Sequence, residues 1–85
     1  MRTEKELLQV LLDNMDRFET GLCHLTGILN IEGVITFEEE FIIDEYVYEN
    51  SPEEFYIDEY DIHYKWVKGE KQPRIDWLNE QINKL

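Results

Sequence analysis

Residues 36–52 read TFEEEFIIDEYVYENSP, and this stretch contains both the start signal and the stop signal of a helix. Thr36 and Glu39 form a capping-box pattern, in which the threonine hydroxyl accepts from an otherwise unpaired helix amide and the glutamate reaches back to the cap. Pro52 ends the pattern because proline cannot continue a helix. The stretch therefore predicts a helix over residues 37–49.

The side chains of this predicted helix divide unevenly around its axis. Three aromatic residues share one side of the helix, and three glutamates share a stripe. The aromatic residues are Phe37, Phe41 and Tyr48, and the glutamates are Glu38, Glu45 and Glu49. The rest of the circumference carries Ile42, Ile43, Tyr46 and Val47. We therefore expect other parts of the chain to contact this helix on more than one side.

Two further helices are predicted upstream, over residues 4–17 and 21–31. Thr3 and Glu6 form a second capping box at the start of the first one. Apolar residues recur at helical spacing in both, at Leu7, Leu8, Leu11, Leu12, Met15 and Phe18 and then at Leu22, Leu25, Ile28 and Leu29. Gly33 follows where a left-handed residue commonly ends a helix. The short connection predicts that the two helices form a hairpin.

The downstream part of the chain contains one more predicted helix, over residues 74–84. It follows the polar loop KGEKQP, with Pro73 at or just before its first turn. Its apolar stripe is formed by Ile75, Leu78, Ile82 and Leu85, with Trp77 at the edge. Residues 53–64, EEFYIDEYDIHY, fit neither the helical nor the strand period, so they predict an irregular or short-stranded acidic segment.

Length and composition favour a single small folded domain. Eighty-five residues support one modest core, and 42% hydrophobic residues are too many for a disordered acidic protein. The predicted fold is therefore mainly α, a compact three- to four-helix single domain that spans residues 1–85. The single cysteine, Cys23, suits a reducing compartment, and the sequence shows neither a signal segment nor a membrane span. We expect a cytoplasmic protein.

The acidic residues are concentrated in one part of the sequence. Between Arg17 and Lys65 the chain has 47 residues with thirteen Asp and Glu and no Lys or Arg, and the net charge of the whole chain is -12. A long run of one sign repels itself in solvent unless a basic partner neutralises it. Nucleic acid and anionic lipid are excluded as direct partners because both are negatively charged. The charge predicts a basic protein as the partner.

Acidic and aromatic residues are interleaved in this region, and together they could imitate a nucleic-acid strand. Carboxylates accept paired hydrogen bonds from arginine as phosphates do, and tyrosine offers a flat apolar body with a polar tip, as a base and its sugar do. Glu45 and Glu49 are one helical turn apart, a rise of about 6 Å, which is close to the spacing between neighbouring phosphates of a nucleic-acid strand. The alternative interpretation is a solvated acidic face over half-buried tyrosines. The predicted contact residues are Glu38, Glu45, Glu49, Glu53, Glu54, Asp58, Glu59 and Asp61, with Tyr48, Tyr56 and Tyr60 as anchors.

Other chemistry is poorly supported by the sequence. Asp58, Asp61 and His63 contain metal-ligating groups, but their spacing matches neither a calcium loop nor a zinc pattern. Cys23 and His24 are consecutive, so on a helix they point in different directions and do not form a catalytic dyad. The carboxylates are too numerous for any pair to stand out as a general acid and base. We expect no catalytic residue, no metal and no cofactor.

Two segments resemble small uncharacterised proteins encoded by tailed bacteriophages: residues 21–47, GLCHLTGILNIEGVITFEEEFIIDEYV, and residues 66–85, WVKGEKQPRIDWLNEQINKL. The shared elements are Gly21-Leu22-Cys23, Ile35-Thr36 with Glu39, and Pro73-Arg74 with Trp77-Leu78. The resemblance covers a little over half of the chain and implies a phage context. Small, very acidic phage proteins are often inhibitors of host defence, including anti-CRISPR and antirestriction proteins, and this chain is similar to them in character.

The predicted function is therefore a phage-encoded inhibitor of a host defence protein. It acts in the host cytoplasm, binds the basic nucleic-acid channel of a defence nuclease or effector complex, and blocks it by mimicry. One alternative is a structural or regulatory phage interaction protein, with self-association, whose acidity keeps it soluble. A second is a small-molecule sponge for a defence signal, which would use the basic residues Lys65, Lys68, Lys71 and Arg74.

Overall fold

The computed structural model describes residues 1–17, 21–51 and 71–85. In these ranges the chain forms four helices and no strand: α1 (Glu4–Asn14), α2 (Leu22–Ile31), α3 (Phe37–Asn50) and α4 (Lys71–Lys84). The predicted mainly α fold is confirmed. The acidic segment predicted at 53–64 lies outside the described residues.

Helix α1 begins with the predicted capping box. The Glu6 amide donates to Thr3 Oγ1 at 3.2 Å, and the Thr3 amide donates to Glu6 Oε1 at 3.0 Å. The helix ends at Asn14, three residues before the predicted end, because the next amides bond three residues back instead of four. The Arg17 amide, for example, donates to the Asn14 carbonyl at 3.1 Å, which tightens the chain into a turn.

Helix α2 ends in a motif that the predicted glycine makes possible. Gly33 has a φ of 78°, the left-handed conformation that glycine adopts without a steric penalty. Its amide donates to the Asn30 carbonyl at 3.0 Å, and the Val34 amide donates to the Leu29 carbonyl at 2.9 Å. These two bonds define a Schellman motif, which pairs the last carbonyls of the helix and turns the chain toward α3.

Helix α3 also starts at its predicted capping box and ends within one residue of the predicted position. Ser51 is extended, with a φ of -115° and a ψ of 157°, as a residue before proline prefers. Helix α4 contains the predicted residues 74–84 and also Lys71 to Pro73, which the sequence had assigned to a loop.

The core lies between the helices and draws on all four. Its buried members are Leu7, Leu8, Leu11, Met15, Leu22, Leu25, Leu29, Ile35, Ile43, Val47, Trp77 and Leu78. The most extensive helix contacts are between α1 and α4 and between α2 and α3, whereas α1 and α2, the predicted hairpin, touch less. Leu85, predicted for the inward stripe of α4, is exposed instead.

Polar contacts around Trp77 join the C-terminal half of α3 to α4. The Trp77 indole N–H donates to the Asn50 carbonyl at 3.2 Å, and the Tyr46 hydroxyl donates to Gln81 Oε1 at 2.8 Å. The rings of Tyr46 and Trp77 have centroids 6.3 Å apart and are tilted at 54°. Trp77 is thus part of the core, not the edge residue that the sequence predicted.

Within the described ranges, each helix is too short or too polar to cross a bilayer.

Candidate partner-binding surface

Four of the predicted contact residues lie on α3. Glu38, Glu45, Tyr48 and Glu49 are all exposed. The other predicted contacts, Glu53, Glu54, Tyr56, Asp58, Glu59, Tyr60 and Asp61, lie outside the described residues. The described part of the candidate surface is therefore carried by one helix.

Helix α3 has an outward face made of two parallel ridges. The aromatic ridge consists of Phe37, Phe41 and Tyr48, and the acidic ridge consists of Glu38, Glu45 and Glu49. Because each residue advances a helix by about 100°, these six positions fall within roughly 120° of arc. The opposite side of the helix buries Glu39, Ile43 and Val47. We call the two ridges together the outward face of α3.

The aromatic ridge is unusually open to solvent. The exposed fractions are 75% for Phe37, 68% for Phe41 and 55% for Tyr48. A single exposed apolar residue needs no explanation, but three in one row on a helix are a common sign of a binding surface. The sequence analysis identified Tyr48 as an anchor and missed Phe37 and Phe41. Their position on the same side as Tyr48 was the signal that could have identified them.

Within the described residues, the acidic ridge has no counter-ion. In the described ranges, ion pairs join Arg2 to Glu39, Arg17 to Glu32, and Lys84 to Glu80. None of these pairs includes a member of the acidic ridge. The charge of Glu38, Glu45 and Glu49 is therefore available to a cationic partner.

The second glutamate of α3 has a structural role instead. Glu39 Oε1 accepts from the Thr36 amide at 2.9 Å and from Arg2 Nη1 at 3.0 Å, and Oε2 accepts from the Arg2 amide at 3.0 Å. The backbone hydrogen bonds from Thr36 and Arg2 lower the pKa of Glu39 from 4.5 to about 2. This buried carboxylate fixes the start of α3 against the N-terminus, so the outward face has a rigid support.

The third glutamate and Asp44 face α2. Glu40 Oε1 accepts from Asn30 Nδ2 at 2.7 Å, and one turn later Asp44 Oδ1 contacts the Thr26 hydroxyl. These contacts make a polar seam between α2 and α3, defined by Cys23, Thr26 and Asn30 on α2 and Glu40 and Asp44 on α3. The seam borders the aromatic ridge but is directed toward the protein, so it does not belong to the outward face.

Metal binding finds no support in the described part of the chain, where no three His, Cys, Asp or Glu side chains are grouped as ligands. The trio Asp58, Asp61 and His63 that the sequence analysis weighed lies outside that part. Cys23 and His24 are both half-buried on α2.

The chain has no match to a protein family model, to a curated protein or to a solved structure. Among the described residues, the outward face of α3, with its solvent-exposed aromatic and acidic ridges, is the best candidate for a partner-binding surface.

Proposed function

We propose that this protein is an inhibitor that binds the basic nucleic-acid-binding surface of another protein and excludes nucleic acid from it. The observation that carries the proposal is the outward face of α3, where an acidic ridge without an ion-pair partner among the described residues runs beside an exposed aromatic ridge. This face lies within the 47 residues that lack Lys and Arg. A surface with one sign of charge and exposed rings suits a partner that presents cations around an apolar or stacking site.

The acidic ridge supplies orientation and speed of association. Glu45 and Glu49 are one turn apart, a rise of about 6 Å along the helix, so their carboxylates can meet arginines that otherwise hold successive phosphates. Exposed charges of this kind act mainly on the association rate and are screened over about 8 Å at physiological salt. The proposal therefore requires binding that weakens as salt increases.

The aromatic ridge supplies burial. In the free protein Phe37 and Phe41 contact water, whereas burying such a side chain fully against a partner contributes about 1.5–3 kcal/mol. Rings at positions i, i+4 and i+11 form the row of anchors that a helix presents to a groove. The two ridges thus divide the work, with the rings holding the partner and the glutamates selecting a basic one.

The biological setting of the proposal comes from the resemblance to small phage proteins. An acidic phage protein gains from blocking a host nuclease or effector complex, whose nucleic-acid channel is basic. The proposed partner is therefore a defence protein of the anti-CRISPR or antirestriction target type, bound in the host cytoplasm.

A second candidate function is a structural or regulatory interaction protein that self-associates. The exposed Phe37 and Phe41 favour it, because two outward faces can bury their rings against each other. The acidic ridges would then repel across the contact, so self-association should strengthen as salt rises. Salt dependence of opposite sign separates this candidate from the inhibitor.

The deciding experiment uses the immobilised chain and a bacterial lysate, followed by displacement with duplex DNA. Three proteins are compared: the wild type, a double reversal Glu45→Lys with Glu49→Lys, and the control Asp13→Lys. Asp13 is exposed on α1, and its reversal changes the charge of the protein without altering the outward face of α3. We expect the wild type and the Asp13 variant to retain proteins that duplex DNA and salt release, and the double reversal to lose most of them.

Two outcomes would contradict the proposal. One is retention that duplex DNA does not displace, which would favour a structural partner. The other is equal retention by the double reversal and the wild type at all salt concentrations. A separate variant, Phe37→Ser with Phe41→Ser, should keep the salt dependence and shorten the residence time of the bound protein, because it removes burial without removing charge.

A further inference from the structure

The polar seam between α2 and α3 contains a carboxyl group in an unusual position. Asp44 is half-buried, and Thr26, which contacts it across the seam, is 0% exposed. Thr26 Oγ1 lies 2.5 Å from Asp44 Oδ1 and 2.8 Å from the Cys23 carbonyl oxygen. The Thr26 hydroxyl is thus held between two oxygens, one on each helix.

Counting hydrogens distinguishes two states of this triad. A hydroxyl has one hydrogen to donate, and a carbonyl oxygen can only accept. If Asp44 is ionised, Thr26 can donate to the carboxylate or to the Cys23 carbonyl but not fully to both, so one close oxygen pair has no hydrogen between its atoms. If Asp44 is neutral, its O–H donates to Thr26 and the Thr26 O–H donates to Cys23, and both contacts become hydrogen bonds.

The surroundings favour the neutral state. Burial raises the pKa of Asp44 from 3.8 to about 6, and the nearby Glu40 carboxylate acts in the same direction, whereas contacts from Thr26 and the Cys23 side chain oppose it. Two other titratable residues are close to the seam in sequence: Tyr48, one turn after Asp44 on α3, and His24, next to Cys23 on α2. In the described ranges, none of the salt bridges includes Asp44.

We propose that Asp44 is a proton-controlled switch in the α2–α3 interface. The neutral carboxyl closes a hydrogen-bond chain from Asp44 through Thr26 to the Cys23 carbonyl and joins the two helices. The ionised carboxylate breaks that chain and leaves a negative charge between the helices. This inference concerns the inward side of α3 and does not depend on the partner proposed for the outward face.

The sign of the stability change follows from the order of the two pKa values. The folded-state pKa of Asp44, about 6, lies above its ordinary value of 3.8. Between these pH values the folded protein therefore holds more protons than the unfolded chain. The contribution of Asp44 to stability is complete below about pH 4 and is lost as the pH rises through about 6.

The direct test is the titration of the Asp44 side chain in the wild-type protein, followed through its own carboxyl carbon by NMR. This readout reports the protonation of Asp44 alone. We expect a midpoint near 6. A midpoint near 4 would overturn the proposal without any variant having to fold.

A second measurement uses Asp44→Asn, which imitates the neutral carboxyl, and Asp13→Asn as a control with the same chemical change on an exposed surface of α1. At pH 7.5 we expect Asp44→Asn to melt roughly 5 °C or more above the wild type, a difference that shrinks as the pH falls and disappears by about pH 3.5. The Asp13 control should follow the wild type at both pH values. An Asp44→Asn variant less stable than the wild type at pH 7.5 would show that the charge is required, not tolerated.

Discussion

The two sides of α3 carry similar residues and place them in opposite surroundings. Glu38 and Glu39 are neighbours in the sequence, yet the first is exposed on the acidic ridge and the second is 3% exposed and bound by Arg2 and Thr36. Phe41 is 68% exposed, while Ile43, two residues later, is fully buried. Residue type alone therefore does not assign a role on this helix. The angle around the axis decides whether a side chain supports the fold or faces a partner.

The largest difference in stability is expected between two truncations on opposite sides of α3. Ile43→Ala removes a side chain that is 0% exposed and should lower the free energy of unfolding by about 2–5 kcal/mol, because it leaves a cavity. Phe41→Ala removes a larger, exposed side chain and should change it by less than about 0.5 kcal/mol. Urea unfolding of both variants measures the difference. Equal losses would mean that the outward face is covered in the free protein.

A charge-neutralising pair compares the two glutamates. Glu39→Gln keeps the shape but replaces an acceptor oxygen with a donor opposite the bound amides, so we expect a loss of about 1–3 kcal/mol at pH 7. Glu38→Gln should have almost no effect on stability. Chemical denaturation of the two variants under identical conditions is the measurement, and a stable Glu39→Gln protein would show that the contacts to Arg2 are dispensable.

The stabilising effect of Glu39 should also depend on pH. The folded-state pKa of Glu39, about 2, lies below its ordinary value of 4.5, so the folded protein holds fewer protons between these values. The stability that Glu39 provides is present above pH 4.5 and is lost as the pH falls toward 2. Thermal melts of the wild type should fall over this range more steeply than those of Glu39→Gln. Parallel curves would refute the assignment.

A smaller effect is expected at the junction of α3 and α4. Trp77→Phe keeps an aromatic ring in the core but removes the N–H that donates to the Asn50 carbonyl at 3.2 Å. The expected cost is about 1–2 kcal/mol, from the lost hydrogen bond and the reduced ring volume. Because Asn50 is exposed, water can replace the donor and limit the loss. A change above about 4 kcal/mol would indicate that Trp77 organises the core more broadly.

The smallest effect on stability belongs to the acidic ridge. Reversing Glu45 and Glu49 to Lys should change the free energy of unfolding by less than about 1 kcal/mol, since exposed charges contribute little to a fold. Neither side chain takes part in the three ion pairs of the described residues, so the reversal breaks none of those three. Circular dichroism and a melting curve test this. A strongly destabilised double reversal would make the ridge structural and remove the basis for using it in binding experiments.

Local chemistry explains why the sequence predicted the starts of α1 and α3 correctly. The capping boxes at Thr3 and Thr36 each need only a residue three positions away, and both form as predicted. Gly33 adopts the left-handed conformation without a steric penalty because it has no Cβ. The end of α1 was predicted three residues late, since an apolar residue at Met15 continues the helical pattern although the backbone has begun to turn.

The candidate surface was predicted less completely. The shared stripe of Glu38, Glu45 and Glu49 predicts contact residues, whereas the sequence pattern alone does not show that Phe37 and Phe41 face solvent. A sequence gives the angle between two residues on a helix but not the direction in which the rest of the chain lies. Predictions for residues 53–64 stay predictions.

The sequence alone determined where α1 and α3 begin, which residues share a face of a helix, and that one stretch of the chain has no positive charge. These properties depend on spacing over one or two turns and on composition, which need no knowledge of the fold. Only the tertiary structure decided that Glu39 meets Arg2, 37 residues away, and that Asp44 meets Thr26 across the seam. It also decided that the aromatic ridge faces solvent. Those outcomes depend on which helices pack together, because burial and long-range pairing arise only when distant parts of the chain exclude water from one another.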